Sequence, residues 1–457
     1  MNDDLTWMPA WRIRDLVAAR EVSPVEVTKH FLERIAKHQA ILRAVEHIDE
    51  ARVRAEARAA EEAVLAGAEL GPLHGVPVAV KSHLDIAGLP ETMPFGAGIA
   101  PGDDLMVERL RAAGAIVIGH TNMPVFREDG SFDYAATARN PWDPARTPGI
   151  SSAGSAAAVA AGLLPVALAS DGGGSSRVPA AYSGIIGVHS TPGSVPWVNH
   201  KRQTTMGSTA TIGPMTRDVR DAATLLSVIA GPDGRDEVGL PLALPDPRGA
   251  LDAGAKGLRF AWTDDFGYAR KYAVEESEHV ISHIREAAFA LTSLGAIVET
   301  TGQRWEDSVE AIRRKFGAEG LASMGLIGGE ATPDDAYTTA IGVRDRNWQR
   351  FQQVFAEADL LLCPTVASIA PTIEIFATRI PTGKSIIDLT PGAASYTAYC
   401  GLFNWLKFPS VSVPCGFVDG LPVGLQIVGP SGSEARILGL AQAFVHAFPR
   451  AERPPVS

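Results

Sequence analysis

Cysteine is scarce, with only three residues (Cys363, Cys400 and Cys415) in 457. So few in so long a chain exclude a disulfide framework, and an odd count leaves one thiol unpaired. That usage fits a reducing cytoplasm. A basic excess is also lacking: Lys plus Arg number 41 against 52 Asp plus Glu, a formal net charge of −11. This balance argues against a protein that works by neutralising nucleic-acid phosphates or by binding a membrane surface. The opening residues, MNDDLTWMPAWRIRDL, show no basic segment followed by an apolar one, so no signal peptide is expected. Long apolar runs are missing too. The longest candidate, AGSAAAVAAGLLPVALA at 153–169, is mostly alanine and is broken by Gly162 and Pro165. It falls short of the roughly 20 residues that a membrane span requires. It reads instead as a buried helix followed by a buried strand. What is present is a 46% apolar and 20% charged composition, ample apolar surface to offset chain entropy, which excludes a disordered chain.

The first 65 residues read as helical. Ser23-Pro24-Val25-Glu26 is a capping box with proline at the first helical position. Val27, Phe31 and Ile35 follow at a spacing of four and give one apolar face. An Ala/Glu/Arg-rich helix with a solvated face spans 51–66. From Gly71 the pattern changes. Strands are expected at 76–80, 115–119, 164–169, 258–262, 296–298, 360–363, 410–413 and 424–428. Helices are expected at 106–113, around 154–161, around 218–229 and at 275–294. Such alternation argues for an α/β sheet. Residues 231–257, rich in Gly, Pro and Asp, form a long surface connection. Neither an internal repeat nor a sharp composition break divides the chain. A single domain over 1–457 is expected, with a helical region at 1–66, a core at about 70–232 and a variable half at 233–457.

The chemistry concentrates in GISSAGSAAAVAAGLLPVALASDGGGSSR, residues 149–177. The first serine turn, Ser151-Ser152, runs into an Ala-rich helix that Gly162 would end in a left-handed cap. The second, Asp171-Gly172-Gly173-Gly174-Ser175-Ser176-Arg177, follows the buried strand. Three glycines at a strand end let backbone N–H groups converge on one point, an anion nest of the kind a tetrahedral oxyanion needs. The alternative is a flexible Gly/Ser loop between core elements. A P-loop lysine, a dinucleotide G-x-G-x-x-G spacing and a G-x-S-x-G elbow are all absent around these serines. Lys81 ends the apolar run Val76-Pro77-Val78-Ala79-Val80. It is either a lysine snorkelling to the surface or a desolvated amine whose lowered pKa lets it act as a base. His279 and His283, four apart on an expected helix, are a weak metal candidate without a supporting carboxylate pattern. Cys363, in LLLCPTV, and Trp197, Phe403 and Trp405 read as core.

Several segments together are similar to the amidase signature family over nearly the whole chain. They are GVPVAVK at Lys81, RNPWDPAR at 139–146, SAAAVAAG at 155–162, DGGGSSRVPA at 171–180, IGPMTRDVRDA near Gly213 and LPVGLQIVG at 421–429. The resemblance implies a single α/β/α domain around a central mixed β-sheet. It also implies a Ser-cisSer-Lys triad. The family's lysine falls on Lys81, its middle serine, after a cis peptide bond, on Ser151, and its nucleophile on Ser175, in the Asp-x-Gly-Gly-Ser-x-Arg pattern. Spacing to Arg177 selects Ser175 over Ser176. The oxyanion hole falls on the N–H groups of Gly172, Gly173, Gly174 and Ser175, and Ser152, Asp171 and Arg177 match positions that orient the loops.

The sequence departs from the family at Ile150 and Ala153, where glycines are usual and where side chains narrow the space beside the middle serine. It departs also at Ser82 and His83 after the lysine, at Val125, and at His189 and Ser190. The function this implies is hydrolysis of a carboxamide through a seryl acyl-enzyme, with a small-molecule substrate and neither metal nor organic cofactor. Nucleic acid and membrane are not expected as partners, and a homodimer is compatible. Two alternatives stand beside it: a glutamine-hydrolysing subunit of an amidotransferase, and a non-catalytic binding protein on the same fold.

Overall fold

The computed structural model describes residues 2–92, 98–124, 136–199, 209–312, 334–373, 395 and 397–457. Position 125, one of the family departures, lies outside them. One mixed sheet of eleven strands runs through the described residues. In chain order these are β1 (Val45–Ile48), β2 (Pro77–Lys81), β3 (Ile116–Thr121), β4 (Val166–Asp171), β5 (Ile186–His189), β6 (Thr211–Thr216), β7 (Arg259–Trp262), β8 (Ile297–Thr300), β9 (Leu360–Pro364), β10 (Ser410–Val418) and β11 (Leu421–Val428). Their spatial order is β1-β3-β2-β4-β6-β5-β10-β11-β9-β7-β8. β2 pairs in parallel with both β3 and β4, and β7 with both β8 and β9; the remaining pairs are antiparallel.

The central strands are apolar throughout because both faces of the sheet are covered. Alternate side chains leave a strand on opposite faces. Val78, Val80, Val117, Val166 and Leu168 enter one core, while Ala79, Ile116 and Ile118 enter another and Ala167 and Ala169 a third. The helices are α1 (Asn2–Trp7), α2 (Ala10–Ala18), α3 (Pro24–Leu42), α4 (Glu50–Leu65), α5 (Leu105–Ala112), α6 (Ala153–Ala160), α7 (Arg177–Ser183), α8 (Val219–Ile229), α9 (Ser277–Phe289), α10 (Asp334–Glu357), α11 (Leu402–Leu406) and α12 (Glu434–Ala447). The capping box forms as its residues imply. The Ser23 hydroxyl accepts from the Glu26 N–H at 3.1 Å and the Glu26 carboxylate from the Ser23 N–H at 2.9 Å. The alanines of α6 are split between the second and third cores, so this helix is buried on every side, residue by residue. Gly162 closes it with φ +65°, as its sequence position implies.

Three expectations need correction. The opening segment is not wholly helical. Arg43 takes a left-handed turn after α3, and Val45–Ile48 then adds β1 antiparallel to β3. The helix expected at 275–294 ends at Phe289 and tightens into a 3₁₀ turn over Ala290–Leu294. There the hydroxyls of Thr292 and Ser293 donate back to the carbonyls of Phe289 and Ala290, a local bond that competes with the regular helical ladder. Finally, β5 and β6 join the sheet without having been expected, paired antiparallel with each other through Ile186 and Gly187.

Candidate active site

Lys81 leaves the end of β2 between two parallel neighbours. Packing locks its stem, and the residue is 2% exposed, so it does not snorkel. Among the described residues its Nζ meets two hydroxyls and no carboxylate: it donates to Ser151 Oγ at 2.6 Å and to Ser170 Oγ at 3.0 Å. Burial favours the neutral amine. It pulls the lysine down to about 7, against an upward pull from the more distant Asp171.

Ser151 follows a cis Ile150–Ser151 peptide bond. Gly149 before it has φ +96°, and a Cβ there would lie 2.7 Å from Pro179 Cα, so this position needs glycine. Ser152 ties the two serine turns together. Its N–H donates to the Ser175 carbonyl at 3.3 Å, and its hydroxyl donates to the Ser170 carbonyl at 3.2 Å. The Ala153 methyl packs into the core with Leu42 and Ala44. It fills the interior at the start of α6.

Ser175 stands half-buried at the junction of the glycine turn and α7. Ser176 points the other way. It is fully buried, and its hydroxyl lies 2.8 Å from Asp171 Oδ2 and 3.0 Å from the Val188 carbonyl. That geometry separates the two serines that spacing alone had ranked. Among the described residues no hydrogen bond joins the Ser151 and Ser175 hydroxyls. Such contacts commonly tighten only when substrate binds.

The loop is shaped by a fully buried ion pair. Arg177 Nε and Nη2 donate to the two oxygens of Asp171 at 2.8 and 2.9 Å. The guanidinium also reaches Gln426 Oε1 at 2.8 Å, Asn404 Oδ1 at 2.6 Å, Ser410 Oγ at 3.1 Å and the Cys400 carbonyl at 3.1 Å. Burial alone would push the Asp171 carboxyl up. The charge and hydrogen bonds of Arg177 outweigh it and hold the group well below the usual carboxylate range. Asp171 Oδ1 also accepts the Gly174 N–H at 2.6 Å. Gly174 sits at φ +115° with Cys400 Cβ only 2.6 Å from where its own Cβ would be. The expected donor set must therefore be trimmed. The Gly174 N–H is spent on orienting the loop.

Two histidines at the family departures are held neutral. Burial, and then the nearby Arg177 charge, bring His189 down to about 3. Burial, and then Lys81, hold His83 well below its ordinary value, and its ring packs on Trp197 with centroids 5.0 Å apart. His279 and His283 have no metal partners: no cluster of three or more potential ligands occurs among the described residues. Ser170, Asn404, Ser410 and Gln426 were missed from sequence. Ser170 carried one available signal, since it immediately precedes Asp171 and ends an otherwise apolar run.

Lys81 thus meets Ser151 in the first serine turn, and that turn is tied to the second through the Ser152 N–H and the Ser175 carbonyl. The family model described as Amidase matches residues 26–438. The chain belongs to the amidase signature family. It is 36% identical to a glutamyl-tRNA(Gln) amidotransferase subunit from Chloroflexus aurantiacus, over 94% of each chain. It is 32% identical to an acylamidase of Rhodococcus erythropolis, over 99% of this chain and 98% of that one. Among solved structures, a bacterial aryl acylamidase of the amidase signature family superposes with a TM-score of 0.82 at 28% identity, covering 97% of this chain and 96% of that one. Among the described residues no helix is long and apolar enough to cross a membrane.

Proposed function

We propose that the chain hydrolyses a linear carboxamide to a carboxylic acid and ammonia or an amine through an acyl-enzyme on Ser175. The observation that carries this reading is the 2.6 Å contact between Lys81 Nζ and Ser151 Oγ, with the lysine brought to about 7 by burial. A weak hydroxyl nucleophile needs an adjacent base, and a lysine near 7 is half neutral at neutral pH. Neutral Lys81 takes the proton of Ser151, which in turn takes that of Ser175, whose Oγ attacks the carbonyl carbon. The N–H groups of Gly172, Gly173 and Ser175 hold the oxyanion. The C–N bond breaks as Lys81, through Ser151, returns the proton to the leaving nitrogen. Water then attacks the ester by the same relay and frees Ser175. Asp171, Arg177 and Ser152 fix the loops without touching substrate. The substrate is a small-molecule amide. The three buried thiols accord with work in the reducing cytoplasm.

The amidotransferase relative supports a second reading, in which the same centre releases ammonia from glutamine inside a larger complex. Two measurements separate these readings and test the first. Purified chain is assayed against aliphatic, aryl, peptide and glutamine amides; turnover of simple amides by the chain alone supports the stand-alone amidase, and turnover of glutamine only supports the other. A phosphonofluoridate probe should label Ser175. Labelling at Ser176 overturns the assignment of Ser175 as nucleophile, and no labelling with no turnover removes the acyl-enzyme from both readings and leaves a binding protein.

A further inference from the structure

One side chain from the far half of the chain reaches the glycine turn from behind. Asn404, on α11, is fully buried. Its Oδ1 accepts from Arg177 Nη2 at 2.6 Å. Its Nδ2 donates to the Asp171 main-chain carbonyl at 2.9 Å, to Asp171 Oδ1 at 3.0 Å and to the Thr209 carbonyl at 3.3 Å. Chemistry fixes which way this amide is turned. A guanidinium can only donate, so the amide oxygen faces Arg177 and the amide nitrogen faces Asp171. The segment before α11 presses on the same turn. It widens into a π turn over Thr397–Gly401, a departure from the regular helix that is frequent at functional sites. Cys400, within it, supplies both the carbonyl bound by Arg177 and the Cβ beside Gly174.

The partners of Arg177 are not equivalent. Ser410 and Gln426 meet the guanidinium, but their remaining hydrogen bonds go to each other, to Cys363, Pro364 and Tyr399, and to the Cys400 thiol. Asn404 also holds a main-chain atom of the turn. The Asp171–Gly172 peptide is trans, since the one cis bond among the described residues is Ile150–Ser151. In a planar trans peptide the carbonyl and the N–H that follows point in opposite directions. A bond that draws the Asp171 carbonyl toward Asn404 therefore turns the Gly172 N–H to the other side. Asp171 Oδ1, also held by Asn404, accepts the Gly174 N–H. One amide thus acts on both ends of the three-glycine segment.

We propose that Asn404 is a positioning residue for the reaction: its amide fixes the Asp171–Gly172 peptide so that the Gly172 N–H meets the oxyanion. The proposal rests on the reading of Ser175 as the acylated nucleophile. Asn404 itself touches neither substrate nor Lys81. A donor aimed at developing charge favours the transition state over the bound substrate, so its loss is read in kcat and not in KM.

The test is steady-state kinetics of the purified full-length chain on whichever of hexanamide, p-nitroacetanilide and glutamine it hydrolyses. Loss of one oxyanion donor costs about 10²–10³-fold, so Asn404→Ala should lower kcat by about 10²-fold with KM within about threefold. Asn404→Leu keeps the branched shape without the amide and should behave alike, and it serves if the alanine variant does not fold. Ser410→Ala removes a contact to Arg177 but leaves the Asp171–Gly172 peptide held, so it should cost less than about tenfold. Thermal melts establish which variants are folded at the assay temperature. A crystal structure of Asn404→Leu should show the Asp171 carbonyl turned from its parental direction. Four results would overturn the proposal and leave the amidase reading standing: kcat near the parent's in a folded Asn404 variant, a loss carried wholly by KM, equal losses in Asn404→Ala and Ser410→Ala, or an unturned Asp171 carbonyl. If neither Asn404 variant folds, the residue is a structural support and the proposal fails. A parent that hydrolyses no amide and takes no phosphonofluoridate label at Ser175 overturns the amidase reading, and this inference falls with it.

Discussion

Two cationic side chains are buried in this site, and their surroundings make opposite use of burial. Arg177 is fully buried with a carboxylate bound through two N–H groups and four further acceptors around it. Its charge is fixed, and so is that of Asp171. Lys81 is almost as deeply buried but has only two hydroxyls, so burial brings its proton affinity to about 7. The lesson is that a buried cation becomes a structural strut or a proton carrier according to whether a carboxylate meets it. Asp171 lies close enough to influence both, yet it makes its hydrogen bonds to Arg177, to the Asn404 amide and to its own loop.

The comparison can be broken at either end. The largest effect is expected at the proton-carrying end. Lys81→Ala and Ser175→Ala should each lower kcat/KM by about 10⁴-fold or more, as loss of either nucleophile or base does in comparable units. Lys81→Arg should not rescue, because a guanidinium stays charged. Melting temperatures of both alanine variants should stay near the parent's. Near-normal turnover in Lys81→Ala would mean that another group is the base.

At the structural end the expected loss is in the fold. Arg177→Met leaves the Asp171 carboxylate buried without its cation, a change that costs about 3–5 kcal/mol. Urea denaturation should show the midpoint fall accordingly, together with activity. A variant with parental stability would show that the pair is not a strut.

The pH profile gives a third and milder test. Only neutral Lys81 accepts a proton, so kcat/KM should be flat above about 7 and fall about tenfold per unit below it. An activity unchanged between pH 5 and 8 would refute a lysine of this kind. The smallest effect sharpens the contrast further. Ser170 Oγ accepts from Lys81 Nζ and so favours the charged form. Ser170→Ala should therefore move the acidic limb to lower pH, with a rate loss of about tenfold or less. A shift toward higher pH would reverse the sign of that bond.

What the sequence disclosed about this site followed from local chemistry. Lys81 was conspicuous because an apolar strand ends on it. Ser151 and Ser175 stood out through turn motifs that matched a family pattern. The partners of Arg177 were hidden because Asn404, Ser410 and Gln426 come from distant strands and helices and make their contacts only after the sheet closes. The Gly174 N–H was misassigned for a related reason: three consecutive glycines all permit an anion nest, and only the Asp171 carboxylate decides which N–H turns away from it. In the fold, long apolar runs such as β4 were legible from composition, with ends shifted by a residue or two. The short β1 and β5 were not, since four residues carry too little periodicity and their strand character comes from pairing with β3, β6 and β10.

The burial of α6 on every side has a consequence for anyone wishing to change what this enzyme accepts. All eight of its residues are interior, and a Cβ on Gly154 would lie 2.3 Å from the Asn122 nitrogen. Added bulk here has nowhere to go. It would displace the turn that carries Ser151, whatever the chemical nature of the new side chain. Mutational libraries aimed at substrate scope should therefore leave 153–160 alone.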